Sequence, residues 1–147
     1  MKHYSPLVRW MLWLSLSSAV VIYFIVLQLN SDSRDLDDPA QTEEAPLKMI
    51  FYVVGLAMFA ASQGIRIIVN RVRGEDGKPM APAWIDTAYV IALALAETPA
   101  ILGLVLGFQG ASGGDYLPLF IASLVGMALI SPRMFFPPES STATVAS

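Results

Sequence analysis

The chain has no cysteine, which excludes disulfides, thiolate metal sites and a cysteine nucleophile. Its one histidine is His3, so neither a histidine metal cluster nor a Ser-His-Asp triad can be built inside the fold. Charge is scarce as well. Asp, Glu, Lys and Arg make up 14% of the 147 residues, against roughly 25% in soluble domains. No glycine-rich phosphate loop follows a strand pattern. What remains is apolar: 55% of residues are hydrophobic and the mean hydropathy is +0.58.

The apolar residues fall into four runs, at about residues 7–29, 47–69, 84–108 and 116–132. A helix that crosses a bilayer needs about 20 such residues. In lipid every backbone polar group must be bonded internally, so runs of this length read as helices. The expected fold is all-α: four transmembrane helices in an antiparallel bundle, forming one domain over residues 1–133. The first run follows Lys2 and Arg9, as a secretion signal does, but it is longer than a signal core and ends without a small-x-small cleavage site, so it reads as a retained span.

Seven of the nine basic residues (Lys2, Arg9, Arg66, Arg71, Arg73, Lys78 and Arg133) would lie on one side of the bilayer, and Arg34 and Lys48 on the other. Basic residues in short loops mark the cytoplasmic side, which puts both termini there, in a multi-pass protein of the bacterial inner-membrane kind. Trp10, Trp13, Phe51, Tyr52, Trp84, Phe108 and Tyr116 fall near the predicted boundaries, where amphipathic rings are favoured. Residues 30–46 form an acidic outer loop. It lacks the ligand spacing and turn glycine of a calcium loop and reads as a solvated linker. Residues 70–83 form a basic inner loop. Residues 134–147 read as a flexible tail, held at the membrane surface by Phe135 and Phe136.

Helices in lipid associate through close packing of small residues. The third run carries Ala92, Ala96, Ala100, Gly103 and Gly107 at helical spacing, the second carries Gly55, Ala61 and Gly64, and the fourth carries Ala122 and Gly126. These are the expected helix contacts, within the chain or with a second copy.

Beside that stripe stands Glu97, near the middle of its run. A carboxylate there costs about 2.5–3.5 kcal/mol on insertion scales. Burial therefore favours a protonated, ion-bound or hydrogen-bonded group. Pro99 has no N–H, which deprives the Leu95 carbonyl of its helical partner. Thr98 adds a hydroxyl. Carboxylate, hydroxyl and freed carbonyl gather within one turn, a set that suits a proton or a hard cation. Asp86 reads as an interfacial carboxylate in contact with water, or as a stop on an access path to Glu97. Arg66 reads as a side chain snorkelling to the headgroups.

The stretch "LAETPAILGLVLGF" resembles the carboxylate-bearing helix of the c subunit, or proteolipid, of rotary ATP synthases, through Ala96, Glu97, Ala100, Ile101, Gly103, Leu104 and Val105. The resemblance extends loosely over residues 47–108, as a helix rich in small residues, a basic loop and the glutamate helix. It implies that Glu97 carries a proton or sodium ion, with Thr98 and Gln63 in the places where sodium-binding members have a hydroxyl and a glutamine.

The leading expectation is a small scaffold or accessory component of a membrane assembly, in which Glu97 donates a hydrogen bond to Gln63 or Ser62. The alternative is a proton- or cation-handling protein that uses Glu97, Thr98, Gln63 and the Leu95 carbonyl. An enzyme is not expected, because no second intramembrane acid lies near Glu97 and no nucleophile set is present. No cofactor, metal or nucleic acid is expected. The expected partners are the lipid bilayer and further copies or other membrane subunits.

Overall fold

The computed structural model describes residues 5–31, 45–75 and 82–136. Five helices follow in order: α1 (Pro6–Ser31), α2 (Ala45–Glu75), α3 (Pro82–Phe108), α4 (Gly113–Leu129) and the single turn α5 (Pro132–Phe135). No strand occurs among the described residues. The outer acidic segment 32–44, the inner segment 76–81 and the tail 137–147 lie outside them.

Local chemistry sets the helix ends. Pro6, Pro82 and Pro132 each open a helix, at α1, α3 and α5, where the missing N–H would have had no intrahelical partner. Gly110 ends α3 with φ 92°, in the left-handed region that favours glycine. Ala111 N donates to the Leu106 carbonyl and Gly110 N to that of Gly107, each at 3.1 Å, which closes the end of α3 as a Schellman turn. Ser112 and Asp115 then form a reciprocal capping box at the start of α4.

Three helices, α1, α2 and α3, are long and apolar enough to cross a membrane, and α4 is a shorter apolar helix. At 1.5 Å per residue α1 extends roughly 39 Å, whereas α4 reaches roughly 26 Å, less than a hydrocarbon core of about 30 Å. The fourth run was expected to continue to residue 132, but α4 stops at Leu129. Pro132 is the cause: the residue before a proline is pushed out of the helical region, and Ser131 has ψ 148°. In the other direction, α2 continues to Glu75, so residues 70–75 of the expected inner loop are helical. Hydropathy cannot see this extension, because Asn, Arg and Glu continue a helix in water without adding apolar surface. The first residues of the expected tail, 134–136, are described and ordered against the bundle. Phe135 is fully buried and packs on Tyr89 with ring centres 5.1 Å apart, so it belongs to the core and not to the membrane surface.

The third helix is the hub. Its buried face carries Ile85, Ala88, Tyr89, Ala92, Leu93, Ala96, Ala100 and Leu106, and α1, α2 and α4 all pack on it. The outer faces of α1 and α2 are different. Leu14, Ile22, Ile25, Leu56, Ile67 and Ile68 are exposed, an apolar coat that suits lipid and not water.

Polar contacts tie the ends of the bundle. At one end, Arg9 of α1 pairs with Asp86 of α3, and Arg66 of α2 donates from Nη1 to the Leu129 carbonyl at 2.9 Å. Trp13 Nε1 donates to the Met127 carbonyl at 2.8 Å. Both carbonyls belong to the last turn of α4, where the regular i+4 donors run out; that of Met127 also accepts from Ile130 N at 3.2 Å. Arg66 therefore caps α4, where snorkelling to the headgroups was expected. At the other end, Lys48 of α2 bonds Asp115 of α4, and Gln28 of α1 donates to the Tyr116 hydroxyl at 3.3 Å.

Lys48 Nζ bonds Asp115 Oδ2 at 2.8 Å, and Ser112 Oγ donates to the same oxygen at 2.7 Å, so one carboxyl ties α2 to the cap of α4. Both side chains are about a third exposed, so the pair is worth at most about 1 kcal/mol. Asp115→Asn is expected to cost no more than that on unfolding in detergent.

Candidate functional site

Glu97 lies near the middle of α3, half-buried on the side that faces α1. Its Oε1 accepts a hydrogen bond from the Tyr23 hydroxyl at 3.1 Å. The two residues stand at nearly the same distance from the starts of α1 and α3. Those starts are held together by the Arg9–Asp86 pair, so residues counted from either one meet at the same height.

The turn around Glu97 is shaped by Pro99. The helix runs through the proline without interruption, and Pro99 is fully buried. Gly55 of α2 allows the close approach: a Cβ built there would stand 3.8 Å from Pro99 Cα and 2.9 Å from Leu119 Cδ2. The Thr98 hydroxyl donates to the Ala94 carbonyl at 3.0 Å, a bond along its own helix. On the opposite face, Ser123 of α4 donates from Oγ to the Ala96 carbonyl at 2.7 Å, fully buried. Hydroxyls thus reach the carbonyls on either side of Leu95 in sequence, Ala94 and Ala96.

The residues expected to serve Glu97 do not converge. Its hydrogen bond comes from Tyr23, and in it Glu97 is the acceptor, where a donor role toward Gln63 or Ser62 was expected. Gln63 Nε2 donates to Ser62 Oγ at 3.3 Å, and Ser62 Oγ donates to the Phe59 carbonyl at 2.7 Å. Gln63 Oε1 is buried and accepts no hydrogen bond among the described residues. No group of three or more His, Cys, Asp or Glu suited to a metal occurs among them either. Tyr23 has no charge or motif to flag it in the sequence. The available signal was depth, had α1 and α3 been counted from one side.

Asp86 does not meet water as an interfacial carboxylate would. It is 4% exposed, and its Oδ1 accepts from Arg9 Nη2 at 2.8 Å and from Arg9 Nε at 2.9 Å. The Arg9 guanidinium also lies over the Phe136 ring, 3.8 Å from its centre. Asp86 thereby helps to lock α1 to α3.

The small residues divide by face. Ala92, Ala96 and Ala100 are fully buried. A Cβ at Gly103 would stand 3.1 Å from the Phe120 ring, and one at Gly126 would stand 3.3 Å from Ala96 Cβ and from the Phe59 ring. Gly107 admits Leu27, whose side chain occupies the space a Cβ would need. Ala122 is half-buried. The second helix splits: Gly55 is at a contact, while Ala61 is exposed and a Cβ at Gly64 would have no neighbour within 4 Å.

Comparison with protein-family models, with curated proteins and with solved structures finds no match to this chain.

Proposed function

We propose that the chain is a multi-pass integral membrane protein that acts as a scaffold or accessory subunit of a membrane assembly. In this reading α1 to α4 all cross the bilayer, with neighbours in sequence running in opposite directions and both termini on the cytoplasmic side. The pairing of helix ends supports that arrangement: Arg9 with Asp86 at one end, Lys48 with Asp115 at the other. The shortness of α4 is met by thinning or polar anchoring at its ends.

One observation carries the scaffold role. The Glu97 carboxyl is joined to Tyr23 across α1 and α3, while Thr98 bonds its own helix and Gln63 bonds Ser62. Glu97 thus bonds across helices while Thr98 and Gln63 bond within their own, so these groups are not gathered as a ligand shell. An interhelical polar contact of this kind is worth about 0.6–2 kcal/mol.

Glu97→Gln tests the reading, since the amide oxygen still accepts from Tyr23 but the side chain cannot release a proton. The expected result in proteoliposomes is unchanged thermal stability, unchanged assembly and no change in proton or sodium permeability. Glu97→Leu, which removes the acceptor, is expected to lower stability by about 1 kcal/mol. A pH- or sodium-dependent flux in the wild type that Glu97→Gln abolishes, with the fold intact, would overturn the scaffold reading in favour of c-subunit-like ion handling.

A further inference from the structure

Where α1 begins and α4 gives way to α5, Pro6, Arg9, Trp10, Pro132, Arg133 and Phe136 line a recess of about 450 Å³. Two guanidinium groups border it. Arg9 is fixed in place by Asp86 on one side and by the Phe136 ring on its face. Arg133 is exposed, with its Cζ 5.9 Å from the Trp10 ring centre. Asp86 neutralises one of the two positive charges, which leaves the recess with an excess of one. A guanidinium is a planar fork of N–H donors that matches the oxygens of a phosphate. Asp86 takes the Nε and Nη2 side of Arg9, so its remaining donors and those of Arg133 are suited to a second anion. The other walls are two prolines and two aromatic rings, which accept an apolar backbone better than a hydrated ion.

The surroundings indicate where that anion comes from. Leu7 and Met11, neighbours of the lining residues on α1, are 69% and 61% exposed, and Met134 beside Arg133 is 54% exposed. A phosphate-bearing head seated between the arginines would have its tails against these side chains. We propose that this recess binds the phosphate headgroup of an acidic phospholipid at the bilayer interface. The proposal rests on the membrane reading above, and basic pockets at helix ends on the cytoplasmic side are suited to such headgroups.

The test uses full-length protein reconstituted in nanodiscs of mixed phosphatidylglycerol and phosphatidylcholine, released and weighed by native mass spectrometry. The wild type is expected to retain phosphatidylglycerol in preference to phosphatidylcholine. Arg133→Gln, an exposed position whose thermal stability is expected to stay unchanged, should reduce that preference about tenfold, as the loss of one charge-assisted contact predicts. Arg71→Gln, exposed on α2 and not lining the recess, should leave it unchanged. Equal retention by wild type and Arg133→Gln, or equal loss in both variants, would overturn the site. Displacement of the lipid by millimolar inorganic phosphate would assign the recess to a free anion and overturn the lipid source. Failure of the protein to enter bilayers of any composition would instead refute the membrane reading itself.

Discussion

Asp86→Ala is expected to lower the stability of the protein by about 3 kcal/mol, the larger of two effects expected from single substitutions. Asp86 is almost fully buried and accepts both Arg9 Nε and Arg9 Nη2. Its removal leaves a guanidinium with its counter-charge gone in a site of low dielectric. Most of the loss is that uncompensated charge and not the intrinsic worth of the pair. The partner substitution, Arg9→Met, follows the same logic and is expected to cost a similar amount, because the charge it strands, on Asp86, is the more buried of the two, 6% exposed against 20%. Arg9→Met together with Asp86→Leu removes both charges, and is expected to be far less destabilising than the sum of Arg9→Met and Asp86→Leu made singly. Unfolding by sodium dodecyl sulfate in mixed micelles measures all four proteins of this cycle. Additive effects would show that the two charges are not coupled.

Gly126→Leu is expected to destabilise by roughly 1–3 kcal/mol, by overpacking the contact between α3 and α4. The space is already filled: a Cβ alone would meet Ala96 Cβ and the Phe59 ring at 3.3 Å. Three more carbons must displace α4 from α3 or push Phe59 from its place. Displacing α4 from α3 also lengthens the Ser123–Ala96 hydrogen bond, now 2.7 Å and buried. The Ser123 hydroxyl would then be left without a partner inside an apolar contact, a further penalty. Gly64→Leu is the matched control. Nothing lies within 4 Å of where its Cβ would stand, so its effect on the isolated chain is expected to be only a few tenths of a kcal/mol. The same micelle unfolding compares the two. If Gly64→Leu is instead the more harmful, the exposed face of α2 is in contact with a second chain.

Much of the fold was legible because each helix announces itself locally. Apolar runs of sufficient length must be helical where water is absent, whereas the prolines and Gly110 that set several helix ends were not weighed in the hydropathy pattern. The contact face of α3 was legible too, since alanines and glycines recur on one side of it at helical spacing. On α2 the same kind of residue was ambiguous. Gly55 and Gly64 are alike in sequence, yet one sits against α3 and α4 and the other has no neighbour. Small size permits a contact but does not say which face will meet one. Glu97 was legible as an anomaly, by its charge in an apolar run, whereas Tyr23 was not, because a tyrosine in such a run is unremarkable in composition. Asp86 and Arg66 were misjudged for a shared reason: each was weighed at its own depth, with water or headgroups as its partner.

The sequence alone determined that the described residues are helical, roughly where the four longer helices lie, and that Glu97 would need a partner. These follow from local energetics: backbone hydrogen bonds and the cost of isolating a charge from water are properties of a residue and its near neighbours. Only the tertiary structure decided that α3 is the hub, that Tyr23 answers Glu97, that Asp86 is locked by Arg9 and that Arg66 caps α4. Those partners come from other helices, and their meeting depends on which helix faces pack together and at what height, which is a property of the whole bundle.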